Sequence, residues 1–369
     1  MNVLFASSEV FPYSKTGGLA DIASFLPKAL RKIGHNVTTV TPYYKGIRKY
    51  HDELMFLGTK TIYFGLDSTK VNYYLLKNED EQIVFVENSH YFERDYFYGF
   101  EDEGIRFMVF SYAVLELVDL LNNIPQIIHI NDWQTAPIPY LLDKHYRYRE
   151  KYQYIHTLLT IHNLQYQGVF GLNTAKLFNV EFDYTYIHFN NVNYLKTGIE
   201  TASKINTVSP NYRNEILTQE FGFTLDGALN KRSSDLSGIL NGIDYDIFNP
   251  ETDNLIEKNY TSRNLKLGKF ANKEHLLNKF GIEITKEQPL ISYVGRLANQ
   301  KGIELLMAVL EDVINNSNAV LMVLGSGDNN YENYFQSLRD KYPKKVAFYR
   351  GYNEELAHKI YAASDIFLM

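Results

Sequence analysis

Apolar positions along the chain fall into two alternating rhythms. Val3–Ala6 is a short continuous apolar run, followed by polar residues and then by Leu19, Ile22, Ala23, Leu26, Ala29, Leu30 and Ile33. The first pattern predicts a strand and the second, at i, i+3, i+4 and i+7, a helix opening near Gly18. Pro27 falls inside that helix and is expected to kink it or mark a restart, and Gly34 closes it before a strand at 36–40. Further apolar strands are expected at 83–87, 126–130, 157–161, 204–208 and 236–240, with amphipathic segments such as 104–121 between them. Strands that alternate with helices predict an α/β fold with a parallel sheet covered on both faces.

The rhythm weakens between Asn249 and about Gln288 into a polar stretch with one helical segment, which reads as a linker and the entry to a second domain. From Leu290 it resumes as strand, helix, strand, helix, strand, helix and a last strand at 365–369 that no helix follows. The expected organisation is a first domain over 1–250 and a second, incomplete one over 251–369. A length of 369 residues agrees with two domains at roughly 150 residues each.

Composition narrows the function classes. Lys and Arg total 37 against 43 Asp and Glu, so the chain lacks the overall positive field that nucleic acid or an anionic lipid surface requires. Cysteine is absent, which excludes a disulfide framework, a thiolate zinc site and a cysteine nucleophile. No apolar run approaches the about 20 residues that span a bilayer, and the N-terminus lacks the positive region of a signal peptide. The expected location is the cytoplasm. Tyrosine (30) and phenylalanine (23) are abundant; aromatic faces stack on sugars and bases, although core packing is the simpler use for them.

Three loops at strand ends carry candidate chemistry. The segment Tyr13–Asp21, YSKTGGLAD, joins the first strand to the first helix. A helix N-terminus offers unpaired N–H groups and a positive dipole end; Gly17 and Gly18 let a phosphate approach the backbone, and Lys15 adds a full charge. The alternative is that the glycine pair only allows close packing of strand and helix. The segment 295–302, GRLANQKG, again leaves a strand and opens a helix, and Arg296 and Lys301 there are suited to converge on one anion; as surface charges they would have no such role. His162 ends an apolar strand, where open α/β sheets hold ligands. The polar strand end 129–133 and Asn241, ahead of a glycine turn, are weaker candidates of the same kind. No spacing suggests a metal site and no G-x-S-x-G is present, so a leaving diphosphate would be neutralised by Arg, Lys and helix dipoles, without a cofactor.

Taken together, KTGGLAD (15–21), YGFEDEGIRF (98–107), HINDWQT (129–135), TIHNLQYQG (160–168), LKTGIETASKINTVSP (195–210), FGFTLDGAL (221–229), SGILNGIDYDIFNP (237–250), VGRLANQKG (294–302) and YAASDIFLM (361–369) run in order over nearly the whole chain. In these motifs the sequence resembles the bacterial glycogen synthases and plant starch synthases. The resemblance implies a GT-B fold, two Rossmann-like domains facing across a cleft, and retaining transfer of glucose from ADP-glucose to the non-reducing 4-hydroxyl of an α-1,4-glucan. It implies that Lys15 and Gly18 contact the nucleotide diphosphate, that Asp21 lines the reacting centre, that His162 and Asn241 hold the donor glucose, and that Arg296 and Lys301 stabilise departing ADP. In the family a Glu-Pro-Cys-Gly-type motif with an active-centre glutamate, a second Gly-Gly loop and a returning helix follow the segment matched by 361–369; the chain stops at Met369, which reads as a C-terminally truncated synthase.

Competing readings are a non-catalytic glucan-binding remnant, another GT-B glycosyltransferase, and a nicotinamide oxidoreductase. The last lacks the G-x-G-x-x-G fingerprint and its following acidic residue. The Lys-Thr-Gly-Gly loop and the Asn-Gly-Ile-Asp turn favour the glucan synthases over other GT-B enzymes.

Overall fold

The computed structural model describes residues 1–181 and 183–369. It divides into two compact units, Met1–Gly242 and Ile243–Met369. The first contains β1 (Asn2–Ala6), α1 (Gly18–Lys32), β2 (Asn36–Pro42), β3 (Met55–Phe64), β4 (Asp67–Lys77), β5 (Gln82–Glu87), α2 (Ser89–Phe92), α3 (Glu103–Leu117), β6 (Ile127–Asn131), α4 (Ile138–Leu141), β7 (His156–Ile161), β8 (Val169–Phe170), β9 (Ile187–His188), β10 (Asn191–Asn193), α5 (Tyr194–Thr201), β11 (Lys204–Thr207), α6 (Pro210–Glu215), α7 (Asp226–Lys231) and β12 (Leu236–Gly238). The second contains α8 (Leu265–Asn278), β13 (Leu290–Val294), α9 (Ile303–Asn316), β14 (Val320–Gly325), α10 (Asn329–Lys341), β15 (Val346–Arg350), α11 (Glu354–Ala363) and β16 (Ile366–Leu368).

The main sheet of the first unit has the order β12-β11-β7-β6-β1-β2-β5-β4-β3. It is parallel from β12 to β5. Strands β4 and β3 then add an antiparallel edge. From β1 the chain builds outward through β2 and β5, then returns to lay β6, β7, β11 and β12 on the other side of β1. The order therefore reverses between β1 and β6, and the crevice outside their carboxyl ends is where such sheets bind ligands. A small antiparallel sheet, β8-β10-β9, lies apart from the main one.

The second unit repeats the logic with fewer strands, in the parallel order β15-β14-β13-β16, so its order reverses beside β13. Strand β14 is buried along its length, as expected of a parallel strand covered on both faces. Its side chains alternate between two cores: Leu321 and Val323 join Phe335 and Phe348, while Val320, Met322 and Leu324 join Leu276, Leu290 and Ile360.

Three expectations change. Helix α1 runs uninterrupted through Pro27, which is buried; the proline removes one backbone hydrogen bond, and packing of its ring accompanies a helix that continues. The β3–β4 hairpin, absent from the strand list expected from sequence, makes the sheet mixed. The division falls after Gly242 and not at 250, so Ile243–Pro250 belongs to the second unit together with the polar stretch that follows. Tyr260 is buried and its hydroxyl donates to the Ala362 carbonyl at 3.3 Å. Asp253 pairs with buried His358 at 2.7 Å, and Phe248 stacks on the same imidazole.

Candidate active site

The loop between β1 and α1 is held from inside by a carboxylate. Glu9 is 3% exposed. It accepts from the Thr16 backbone N–H at 2.5 Å and the Thr16 hydroxyl at 2.6 Å, and from the Tyr98 hydroxyl at 2.7 Å. Val10 and Ser14 exchange backbone hydrogen bonds, and Phe11 N–H donates to the Ala20 carbonyl at 3.1 Å. These contacts fix the path of Lys15–Gly18. Burial and the neighbouring Glu9 carboxylate push the Tyr98 phenol well above its ordinary range, so Tyr98 stays a neutral donor.

At the end of that path, α1 begins with Gly17 as N-cap and no side chain caps it. A Cβ built on Gly17 or Gly18 meets nothing within 4 Å. The glycine pair is therefore not explained by strand–helix packing; it leaves the helix N-terminus open. Lys15 and Asp21 flank the opening and pair with each other at 2.9 Å, with the Lys15 ammonium also 5.0 Å from the centre of the Phe11 ring.

His162 follows β7 and is gripped by Asn131, the last residue of β6, and by Asp132, which follows it. Asn131 Oδ1 lies 2.9 Å from His162 Nε2, and Asp132 Oδ1 accepts the His162 backbone N–H at 2.7 Å and that of Asn163 at 3.3 Å. Asn131 Nδ2 donates to the Ala6 carbonyl at the end of β1. Because the amide nitrogen faces a carbonyl, the amide oxygen faces the imidazole, and Nε2 carries the proton. Burial lowers the His162 pKa, with Asp132 opposing, so the ring is neutral near pH 7 with Nδ1 as an acceptor. Burial raises the Asp132 pKa. Gly168 closes the His162 loop at φ +64, where an added Cβ would sit 2.4 Å from Trp133 Cε3; only glycine allows that approach. Asn131 thus ties the end of β1 to the histidine loop and brings two sequence candidates to one sheet edge.

In the second unit, Arg296 and Lys301 lie on the loop after β13. Both are exposed, and neither has an ion-pair or side-chain hydrogen-bond partner among the described residues. The Tyr293 hydroxyl donates to the Arg296 carbonyl at 2.8 Å, and Leu297 bridges to Gly327. Gly325 is required here, since its Cβ would lie 2.3 Å from the Gly295 carbonyl oxygen. Two unpaired cations on a pinned loop are suited to an anion. Asn241 is exposed on the segment after β12, at the last residues of the first unit. Among the described residues no group of His, Cys, Asp and Glu could hold a metal ion, and no helix is long and apolar enough to cross a membrane.

Sequence reasoning misses Glu9, because a carboxylate folded back onto Thr16 of its own loop and onto distant Tyr98 follows no local period. It singles out the polar strand end at 129–133 without separating the roles of Asn131 and Asp132.

Comparison with known proteins converges on one family. Residues 2–231 match the starch synthase catalytic domain, and residues 276–369 match glycosyl transferases group 1. The chain is 57% identical over 371 residues to a glycogen synthase of Acholeplasma laidlawii, covering all of this chain and 78% of that protein. The chain belongs to the glycogen and starch synthase family. A glycogen synthase of Bacillus cereus is 41% identical over 385 residues, again with 78% of the relative covered. The catalytic domain of starch synthase IV from Arabidopsis thaliana, solved bound to ADP and acarbose, superposes with a TM-score of 0.87 at 30% identity, covering 99% of this chain and 77% of that one. The fold is accordingly GT-B, built from two Rossmann-like domains, and the activity is that of a glycosyltransferase. In this synthase both anion-type loops leave the strand beside which the sheet order reverses, β1 in one unit and β13 in the other.

Proposed function

We propose that the protein transfers glucose from ADP-glucose to the non-reducing 4-hydroxyl of an α-1,4-glucan, with retention at the anomeric carbon, in the cytoplasm and without a cofactor. The observation that carries this reading is the open N-terminus of α1, uncapped and flanked by Lys15 and Asp21, with space over Gly17 and Gly18. Backbone N–H groups and the dipole end receive a diphosphate oxygen there. Arg296 and Lys301 supply the charge that departing ADP requires, because cations fixed in advance act most where negative charge develops. Neutral His162, with Nδ1 as acceptor, suits a sugar hydroxyl, and Asn241 is assigned to the same glucose. Support for the ligands comes from starch synthase IV, solved with ADP and acarbose, a nucleotide and a glucan-like oligosaccharide.

The test incubates the intact protein with glycogen and either ADP-glucose or UDP-glucose, measuring nucleotide release and the anomeric configuration of the new linkage. ADP release with α-linked product is expected. Preference for UDP-glucose overturns the donor assignment, and a β linkage overturns retention.

A further inference from the structure

Two turns of the first unit hold bulky residues in left-handed backbone. Between β9 and β10, Phe189 and Asn190 have φ of 44° and 57°; Phe223 and Thr224 have φ of 45° and 71°. Glycine and asparagine adopt such angles readily, whereas a phenylalanine or a β-branched threonine is an outlier there. The turns are joined, since His188 Nε2 lies 2.9 Å from Thr224 Oγ1. Burial does not explain the phenylalanines: Phe189 is 74% exposed and Phe223 is 41% exposed. Strained backbone clusters at binding and active sites, so exposed rings held on it are candidates for contact with a ligand.

The patch continues into the candidate active site. Gln167, on the loop that begins at His162, donates to the Phe223 carbonyl at 2.8 Å and accepts from Asn193 Nδ2 at 2.7 Å. Tyr166 on that loop is 52% exposed. The rings are interleaved with His188, Asn190, Gln167 and Thr224, so the surface is not the contiguous apolar area of a protein or lipid contact. Aromatic faces set among amides and hydroxyls match a pyranose, which offers C–H groups on its faces and hydroxyls around its rim. We propose that Phe189 and Phe223 form a stacking track for the α-1,4-glucan acceptor, leading away from the His162 loop. This inference rests on the acceptor reading given under the proposed function.

The experiment compares the intact wild-type protein with Phe189→Asn, Phe223→Asn and a control, Tyr154→Ala, whose ring is exposed elsewhere. Retention in glycogen-containing native gels, Kd for maltoheptaose, Tm and elution volume are read for each, with ADP release by wild type in parallel. Each asparagine variant is expected to bind maltoheptaose about 10-fold more weakly with Tm unchanged or raised, because asparagine accepts the left-handed backbone. The control retains wild-type affinity. Asparagine variants that keep wild-type glucan affinity overturn the track, whether or not Tm changes. Variants that instead convert a dimer to a monomer, with glucan affinity kept, assign the rings to contact between copies and overturn it too. Wild type that transfers glucose while its variants retain glycogen fully removes the track alone; wild type that neither transfers glucose nor binds glucan removes the acceptor reading with it.

Discussion

Lys15 Nζ lies 2.9 Å from Asp21 Oδ1, so the lysine of the β1–α1 loop pairs with the carboxylate in the first turn of α1. The resemblance assigns Lys15 to the diphosphate and Asp21 to the reacting centre; their pairing makes the two roles interdependent. Lys15→Ala is expected to raise the KM for the nucleotide sugar and lower kcat, and Asp21→Asn to lower kcat more than donor affinity. Residues in direct contact are not additive, so the double variant should lose less than the sum of the two. Strict additivity in a kinetic double-mutant cycle would dissolve the coupling, and equal losses of kcat and donor affinity in Asp21→Asn would make Asp21 merely structural.

Gly17→Ala separates packing from ligand approach. A Cβ there meets nothing within 4 Å and the backbone is extended, with φ −157°, so the folded state tolerates it and the unfolded chain loses freedom worth about 0.4–1 kcal/mol. Thermal melting should show equal or higher stability. Donor KM should rise about 10-fold or more as the methyl enters the space proposed for phosphate. Unchanged donor KM would remove the phosphate from this loop.

Lys301→Ala should lower kcat about 10²-fold, the usual loss for one charge partner of a transition state. Because Lys301 is exposed and unpaired among the described residues, stability should stay within about 0.5 kcal/mol. Gly325→Ala provides the contrast. Its Cβ would lie 2.3 Å from the Gly295 carbonyl oxygen, so a loss of about 1–3 kcal/mol is expected from overpacking, measured by urea unfolding. A stable Gly325→Ala variant would mean that the loop yields easily.

Acid should destabilise the first unit through buried histidines. Burial, with a smaller contribution from nearby His162, lowers the His129 pKa to about 3, and burial lowers that of His162. Between the unfolded value of about 6.5 and the lowered folded value, the unfolded chain binds more protons. Stability is therefore complete above about pH 6.5 and falls as pH drops, by at most about 1.4 kcal/mol per pH unit for each histidine. Asp132, raised by burial, acts oppositely, since its contribution is lost as pH rises through its folded pKa. Urea unfolding at pH 7.5 and 5 should show the fall, and His129→Gln should flatten it; an unchanged slope would acquit His129.

The strands and helices that carry the site were legible because each rests on a local period. Val3–Ala6 and the 3.6-residue spacing from Leu19 lead directly to β1 and α1, and the segment 290–368 alternates as expected. The β3–β4 hairpin was missed although its strands flank a Gly65–Leu66 turn, because an expectation of strictly alternating elements leaves no place for it. Pro27 does not interrupt α1, since a one-bond loss is local and the burial of its ring, which the sequence does not show, keeps the helix packed.

By itself, the sequence determined the parallel strands that carry the site and the loops that leave them, with Lys15, Gly17, Gly18, His162, Arg296 and Lys301 on or beside those loops, because these features depend on neighbours within a few positions. Tertiary structure decided the rest. The strand order 7-6-1 puts Asn131 between Ala6 and His162, the buried Glu9 carboxylate joins Thr16 to Tyr98, and the His188–Thr224 bond joins two strained turns. Each of these links residues far apart in the chain, and a hydrogen bond between distant residues leaves no periodicity behind it.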